Sequence, residues 1–301
     1  MPSRFRRERL LIIGCGDIGQ RAVQRLSRAV RVLALTSSFE RLPALRAQGI
    51  TPLLGNLDDA RSLQRLSGLA TRVLHLAPPP NEGCGDLRTR SLLRVLQLRS
   101  PPRALVYAST SGVYGDCQGA VVNETRTLSA ATPRAQRRVD AEATVRLLGR
   151  RASRVRTSIL RIPGIYAPNR EGGTPEARLR KGTPVLAHAD DVYTNHIHAD
   201  DLARACVIAL WRGQSQRIYN INDDSAMRMG DYFDFAADLY GLPRPPRVPR
   251  SVAPGQLSLM LLSFMSESRR MDNTRMKSEL RLRLWYPTVA TGLLSGELVR
   301  A

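Results

Sequence analysis

The chain has 301 residues, 43% hydrophobic and 24% charged, which is ample for one large domain or two closely associated ones. No run approaches the roughly 18 apolar residues of a membrane span, and the isolated Cys15, Cys84, Cys117 and Cys206 read as reduced thiols of a cytoplasmic protein. The net charge of +20 invites a nucleic-acid reading, but Lys181 and Lys277 are the only lysines and aromatics reach just 5%. Arginine at ordinary solvated positions accounts for such a bias, and a base-stacking surface is poorly supplied, so nucleic acid is a disfavoured partner.

The basic N-terminal stretch passes through a short apolar run, LLII, straight into a glycine-rich turn. That reads as a first strand and not as a secretory signal. Strands are predicted at 10–14, 30–36, 50–55, 72–77, 104–110 and 156–162, with helices at 17–28, 39–48, 58–67, 86–99 and 133–149. In the last of these, Thr132 is the expected cap and Pro133 fits the first turn. Alternation of this kind implies an α/β fold, a Rossmann-type doubly wound parallel sheet over residues 1–162. Past residue 162 the regularity fades into Pro/Gly-rich loops, with helices near 200–212, 230–240 and 255–267. Residues 163–301 are therefore expected to form a smaller substrate-side α/β region packed on the first, with 241–250 (GLPRPPRVPR) as an exposed connector.

GCGDIG at 14–19 is a GxGxxG between a predicted strand and a predicted helix. Gly14 permits the tight turn, Gly16 lets the backbone approach a pyrophosphate, and Gly19 brings the helix close to the sheet. This is the pattern of a dinucleotide site. The second strand ends in Thr36, Ser37 and Ser38, with no acid before Glu40 to bind the ribose hydroxyls of NAD. Hydroxyls beside Arg41 suit a 2′-phosphate, so NADP is favoured over NAD.

YASTSGVYGD (107–116), together with GNLDD (55–59), HLAPPP (75–80), RIPGIYAPNR (161–170) and NHIHADDLARA (195–205), resembles the extended short-chain dehydrogenase/reductase superfamily in its atypical, epimerase/dehydratase-like branch. The likeness covers nearly the whole chain. It implies that Asp17 and Ile18 stand at the pyrophosphate turn. Asn56 and Leu57 would lie beside the adenine, Ala77 and Pro78 along the cofactor, and Pro163 and Ile165 at the nicotinamide. Thr110 matches the Ser/Thr that hydrogen-bonds the reacting carbonyl.

The superfamily's Tyr-x-x-x-Lys pair is missing. Counting back from Ala141 and Glu142, its positions fall on Arg134 and Arg138, and no YxxxK occurs anywhere in the chain. A guanidinium does not titrate in place of a phenol. Candidate substitutes are Tyr114 and Tyr166 as proton donors. Arg134 and Arg138, on one helix face, would bind a substrate anion and a cofactor phosphate respectively. Arg138 with Glu142 would make an i,i+4 pair. His198 is a candidate substrate-site residue and, with Asp201, would tie its segment to the pocket wall or cap the following helix. A metal site at His196 and His198 is not expected.

Three functions stay open. The first is an NAD(P)-binding oxidoreductase or epimerase with non-standard acid/base groups, acting on a small substrate, nucleotide-linked or otherwise anionic. The second is a catalytically silent NAD(P)(H)-binding sensor or scaffold, and the third a nucleic-acid-associated basic protein. A homodimer is the candidate assembly. The basic runs at 6–10, 149–156 and 269–283 read as solvated faces.

Overall fold

The computed structural model describes residues 7–152 and 154–295. Arg6 and Ser153 of the basic runs, and residues 1–6 and 296–301 of the two expected regions, lie outside the described residues.

In chain order the elements are β1 (Arg9–Ile13), α1 (Asp17–Val23), β2 (Arg31–Thr36), α2 (Arg41–Ala47), β3 (Thr51–Leu54), β4 (Arg72–His75), α3 (Leu87–Leu96), β5 (Ala104–Thr110), β6 (Val121–Val122), α4 (Pro133–Arg151) and β7 (Arg156–Ile162). They continue with β8 (Gly164–Tyr166), α5 (Glu176–Arg180), β9 (Val185–Leu186), β10 (Tyr193–Thr194), β11 (His196–His198), α6 (Ala199–Arg212), β12 (Arg217–Asn220) and β13 (Met227–Arg228). The last are α7 (Met229–Leu239), β14 (Arg247–Val248), α8 (Leu259–Met265), β15 (Arg270–Met271), α9 (Thr274–Glu279) and α10 (Val289–Leu294).

Seven strands form one parallel sheet in the order β12-β7-β5-β4-β1-β2-β3. Both faces are covered, which is why its strands read as continuous apolar runs. In β1, Leu10 and Ile12 enter one core layer with α6 residues such as Leu202 and Cys206. Leu11 and Ile13 enter the other, with Leu92 of α3 and Val145 of α4. The expected doubly wound fold is thus observed.

Several boundaries differ from expectation, each for a local reason. Residues 58–67 form turns with a 3-10 turn at Gln64–Leu66, not a helix. There the Ser62 hydroxyl donates to the Asp59 carbonyl at 2.7 Å and Asp59 Oδ1 accepts from Arg61 N, local bonds that compete with the helical ladder. Helix α1 stops at Val23, and Ser27 turns the chain by accepting from Ala29 N. The four-residue strand β12 was not expected; by pairing with β7 it returns the chain to the sheet after residue 163. Residues 241–250 are not a free connector: β14 pairs with β9, and Arg247 reaches Asp191 and Asp234. Glu142 does not pair with Arg138. It is taken by Arg161, Nη2 to Oε2 at 2.8 Å, with both side chains 2% exposed.

Helix α4 begins as its sequence requires, Thr132 accepting from Ala135 N with Pro133 in the first turn. Its N-terminal arginines diverge. Arg134 lies over the Phe264 ring, Arg137 is buried and donates to the Gly83 carbonyl, and Arg138 donates to the Ala108 carbonyl.

Candidate functional site

A cleft of about 320 Å³ opens at the carboxyl ends of the sheet strands, where open α/β sheets hold their ligands. It is lined by Gly14, Gly16, Asp17, Ile18, Gly19, Thr110, Arg138, Pro163 and Ile165, bringing together residues from four separate stretches of sequence. The glycines differ physically. Gly14 has φ +83°, and a Cβ there would stand 2.7 Å from Ala77 N. Only glycine fits such a turn. A Cβ on Gly16 would meet no protein atom within 4 Å, leaving that backbone open to a ligand. A Cβ on Gly19 would be 3.2 Å from Cys15 Sγ, the close helix-to-sheet approach.

Around this cleft stand the remaining candidates. Arg41 Nη2 donates to the Cys15 carbonyl at 2.5 Å, which draws its guanidinium over the glycine turn, and Ser37 is exposed at the end of β2. Asn56 Oδ1 closes a turn by accepting from Asp58 N, and Leu57 packs on the core. Ala77 touches Gly14, and Pro78 is exposed beside it. Arg138 Nη1 donates to the Tyr107 hydroxyl at 3.0 Å and the Ala108 carbonyl at 2.7 Å. These bonds aim one guanidinium at the cleft wall while Arg134 leans away onto Phe264.

A second cleft, of about 450 Å³, shares Ile165 with the first and includes Ser111, Tyr166, Arg178, His196, Tyr232, Phe264, Glu267 and Arg269 in its wall. Thr110 faces one cleft and Ser111 the other. The Thr110 hydroxyl accepts from Gly112 N at 3.3 Å, so its own proton stays free to donate. Arg269 Nη1 donates to Gly115 O and pairs with Glu267 at 2.8 Å, and its Nη2 is 3.5 Å from Ser111 Oγ.

The two candidate phenols are both engaged. Tyr114 is buried outside both clefts, its hydroxyl donating to Asn220 Oδ1 at 2.6 Å and its ring beneath Arg161. Tyr166 presents its ring to the second cleft while its hydroxyl donates to the Thr288 carbonyl at 3.1 Å. Burial pushes both phenols up in pKa, opposite to what a proton-transferring phenolate needs.

His198 caps α6 by accepting from Asp200 N, and its ring stacks on Tyr286; it is absent from the walls of both clefts, so its expected substrate role gives way to the capping one. Asp201 receives the backbone N–H groups of Trp285 and Tyr286. His196, two residues earlier, reaches the second cleft instead. Its ring packs on Tyr232 and burial lowers its pKa to about 4, leaving a neutral imidazole whose Nδ1 has no partner. The paired His-x-His signal was visible in sequence, but which ring faces the cleft depends on β11 pairing with β8, His196 opposite Gly164. Arg178 and Glu267 gave no sequence signal, and Arg269, expected with 269–283 on a solvated face, is instead buried in the cleft wall, where Gly115 O and Glu267 hold it. Among the described residues no group of three or more His, Cys, Asp or Glu could hold a metal ion, and no helix is long and apolar enough to cross a membrane.

Sequence and structure place the chain in a known family. The model of the NAD-dependent epimerase/dehydratase family matches residues 10–222, and the chain belongs to this family. Protein YeeZ of Escherichia coli K12 is 25% identical over 290 residues, covering 93% of this chain and 97% of YeeZ. A functionally unknown conserved protein from Silicibacter pomeroyi superposes with a TM-score of 0.79 at 29% identity, over 97% of this chain and 99% of its own. The dTDP-glucose 4,6-dehydratase DesIV of Streptomyces venezuelae, solved with NAD and TYD bound, superposes with a TM-score of 0.75 at 21% identity, over 97% and 96% of the two chains. That last likeness concerns the fold.

Proposed function

We propose that the chain binds a nicotinamide dinucleotide in the first cleft and uses it on a small molecule in the second, in redox or epimerase-type chemistry without a catalytic Tyr-Lys pair. The observation that carries this reading is the adjacency of the clefts: Ile165 lines both, and consecutive hydroxyls, Thr110 and Ser111, face one each. The residues fit the cofactor. Gly16 leaves its backbone uncovered for a pyrophosphate, and Arg138 stands where a cation would hold the ribose or a phosphate. When bound, the dinucleotide supplies a hydride donor or acceptor at its nicotinamide.

The chain's own groups do the rest. Pro163 and Ile165 border the nicotinamide side and exclude water. Thr110 and Ser111 donate hydrogen bonds to a carbonyl oxygen, the latter with Arg269 behind it. His196, neutral near pH 7 because of its burial, offers the second cleft an imidazole that donates a hydrogen bond to the substrate or accepts one from it. For the adenosine end we favour NADP over NAD, supported by the lack of an acid at the end of β2 and by Arg41 over the turn.

Calorimetry with NADPH and NADH tests the reading. Micromolar binding of at least one is expected; binding of neither removes it. The engagement of both Tyr114 and Tyr166 favours a second reading, a non-catalytic NAD(P)(H) sensor. Cofactor binding without hydride exchange across a panel of small carbonyl compounds and alcohols would select it.

A further inference from the structure

We infer that the second cleft takes a small monocarboxylate with a flat, apolar body, its carboxylate held by Arg178. The inference rests on the two-cleft reading above and adds the class of substrate. Arg178, on α5, stacks on the Phe233 ring with its guanidinium carbon 4.3 Å from the ring centre, which sets the plane of the fork. Its Nε and Nη2 are buried without a hydrogen-bond partner. No carboxylate among the described residues pairs with it.

That pair of nitrogens is the edge by which this protein holds carboxylates elsewhere. Arg88 meets Asp58, Arg161 meets Glu142, and Arg244 meets Asp238, each through Nε and Nη2. On Arg178 the same edge is unfilled. A guanidinium edge without a partner is unfavourable, and a carboxylate that moves in from the cleft and displaces the packing over that edge would relieve it.

The charge balance limits the ligand. Arg269, the other cation of the cleft wall, is already neutralised by Glu267 at 2.8 Å. One positive charge is left over, on Arg178, so one negative charge on the ligand completes the cleft. A nucleoside diphosphate brings at least two and finds no second free cation there. Five rings, Tyr166, Tyr193, Tyr232, Phe233 and Phe264, line the cleft and give a planar apolar body a surface to pack on, with Thr174, Thr194 and Asn195 among the polar groups between them.

The test is calorimetry on the full chain saturated with its preferred cofactor, using benzoate, phenylacetate, trans-cinnamate and indole-3-acetate, their neutral amides, and UDP. At least one acid should bind at least tenfold more tightly than its amide and than UDP, and Arg178→Gln should remove that preference while cofactor affinity stays within about twofold. Arg178→Lys, which keeps the charge and loses the fork, should retain part of it. If Arg178→Gln does not fold, the acid-to-amide ratio in the native chain and in the Lys variant decides. No acid binding at about 10 mM, amides or UDP binding as well as acids, or an unchanged preference in the variants overturns the inference. Failure to bind any dinucleotide would instead remove the underlying two-cleft reading.

Discussion

Glu142 on α4 and Arg161 on β7 form a fully buried ion pair, Nη2 to Oε2 at 2.8 Å and Nε to Oε1 at 3.1 Å. Ser109 on β5 donates to the same carboxylate at 2.6 Å, and Arg161 also lies over the Tyr114 ring. One carboxylate thus joins the helix that carries Arg138 to the two strands whose ends carry Thr110 and Pro163. The pair leaves Arg138 to line the first cleft.

Removing one partner leaves an uncompensated buried charge, so Glu142→Ala should cost about 3–5 kcal/mol. Replacing both, as Glu142→Met with Arg161→Leu, should recover most of that. Urea unfolding measures it. A loss below about 1 kcal/mol in the single variant would mean that the charge is relieved by water or another group.

The pH profile of stability should peak near 6.5. His75, His196 and His198 are held neutral by burial, with pKa values of about 3, 4 and 4. The unfolded chain charges them as pH falls through 6.5, the fold only near 4, so stability is lost on acidification across that window. Each ring contributes about 1.4 kcal/mol per pH unit there. Asp223 works the other way. Burial raises it to about 8, so the fold keeps a proton that the unfolded chain has lost, and stability falls as pH rises toward 8. Below 6.5 three rings outweigh one carboxyl, and above it Asp223 acts without them. Urea midpoints at about pH 5, 6.5 and 8 should trace the peak, and Asp223→Asn should flatten its alkaline side. A slope that survives in that variant would belong to another group.

The main sheet was legible in sequence because a parallel sheet covered on both faces leaves continuous apolar runs such as LLII and ALVYAST. The glycine turn was legible because its geometry admits few other residues. The second cleft was not. Helices α7 and α8, which line part of it, were visible as helices, but the rest comes from two- and three-residue strands, the five-residue α5 and the residues before β15, too short for any periodicity to mark or to bring together. The arginines of α4 mark the same limit. Their spacing puts Arg134 and Arg138 on one face, yet the Ala108 carbonyl and the Phe264 ring, both distant in sequence, draw them apart.

Gly14 and Gly16 should separate folding from binding. Gly14→Ala meets both a positive φ and the Ala77 backbone, and should cost more than ~1 kcal/mol along with cofactor affinity. Gly16→Ala meets no protein atom, so its melting temperature should stay unchanged while cofactor binding drops at least tenfold. Thermal melts and calorimetry on both variants check this. An unimpaired affinity in Gly16→Ala would place the dinucleotide elsewhere.

The divergence of the α4 arginines predicts unequal effects. Arg138→Ala should weaken NAD(P) binding several-fold, because it strips a cation from the cleft wall. Arg134→Ala should leave cofactor affinity within about twofold, since that side chain sits on Phe264. Equal losses in the two variants would mean that they act as one anion-binding face.

Arg41→Ala tests the choice between the two dinucleotides. The Arg41 Nη2 is held by the Cys15 carbonyl, which keeps the guanidinium over the turn where the adenosine ribose would lie, and no acid at the end of β2 competes for that ribose. A 2′-phosphate adds charge at that position, and a charge-assisted bond to arginine is about twice as strong as a neutral one. Arg41→Ala should therefore weaken NADPH roughly tenfold and NADH by no more than about twofold, read by calorimetry at low ionic strength. Raising the salt should shrink the NADPH effect first, because the pair is exposed. If NADH binds more tightly than NADPH in the native chain, and Arg41→Ala changes both alike, Arg41 supports the turn and the cofactor is NAD.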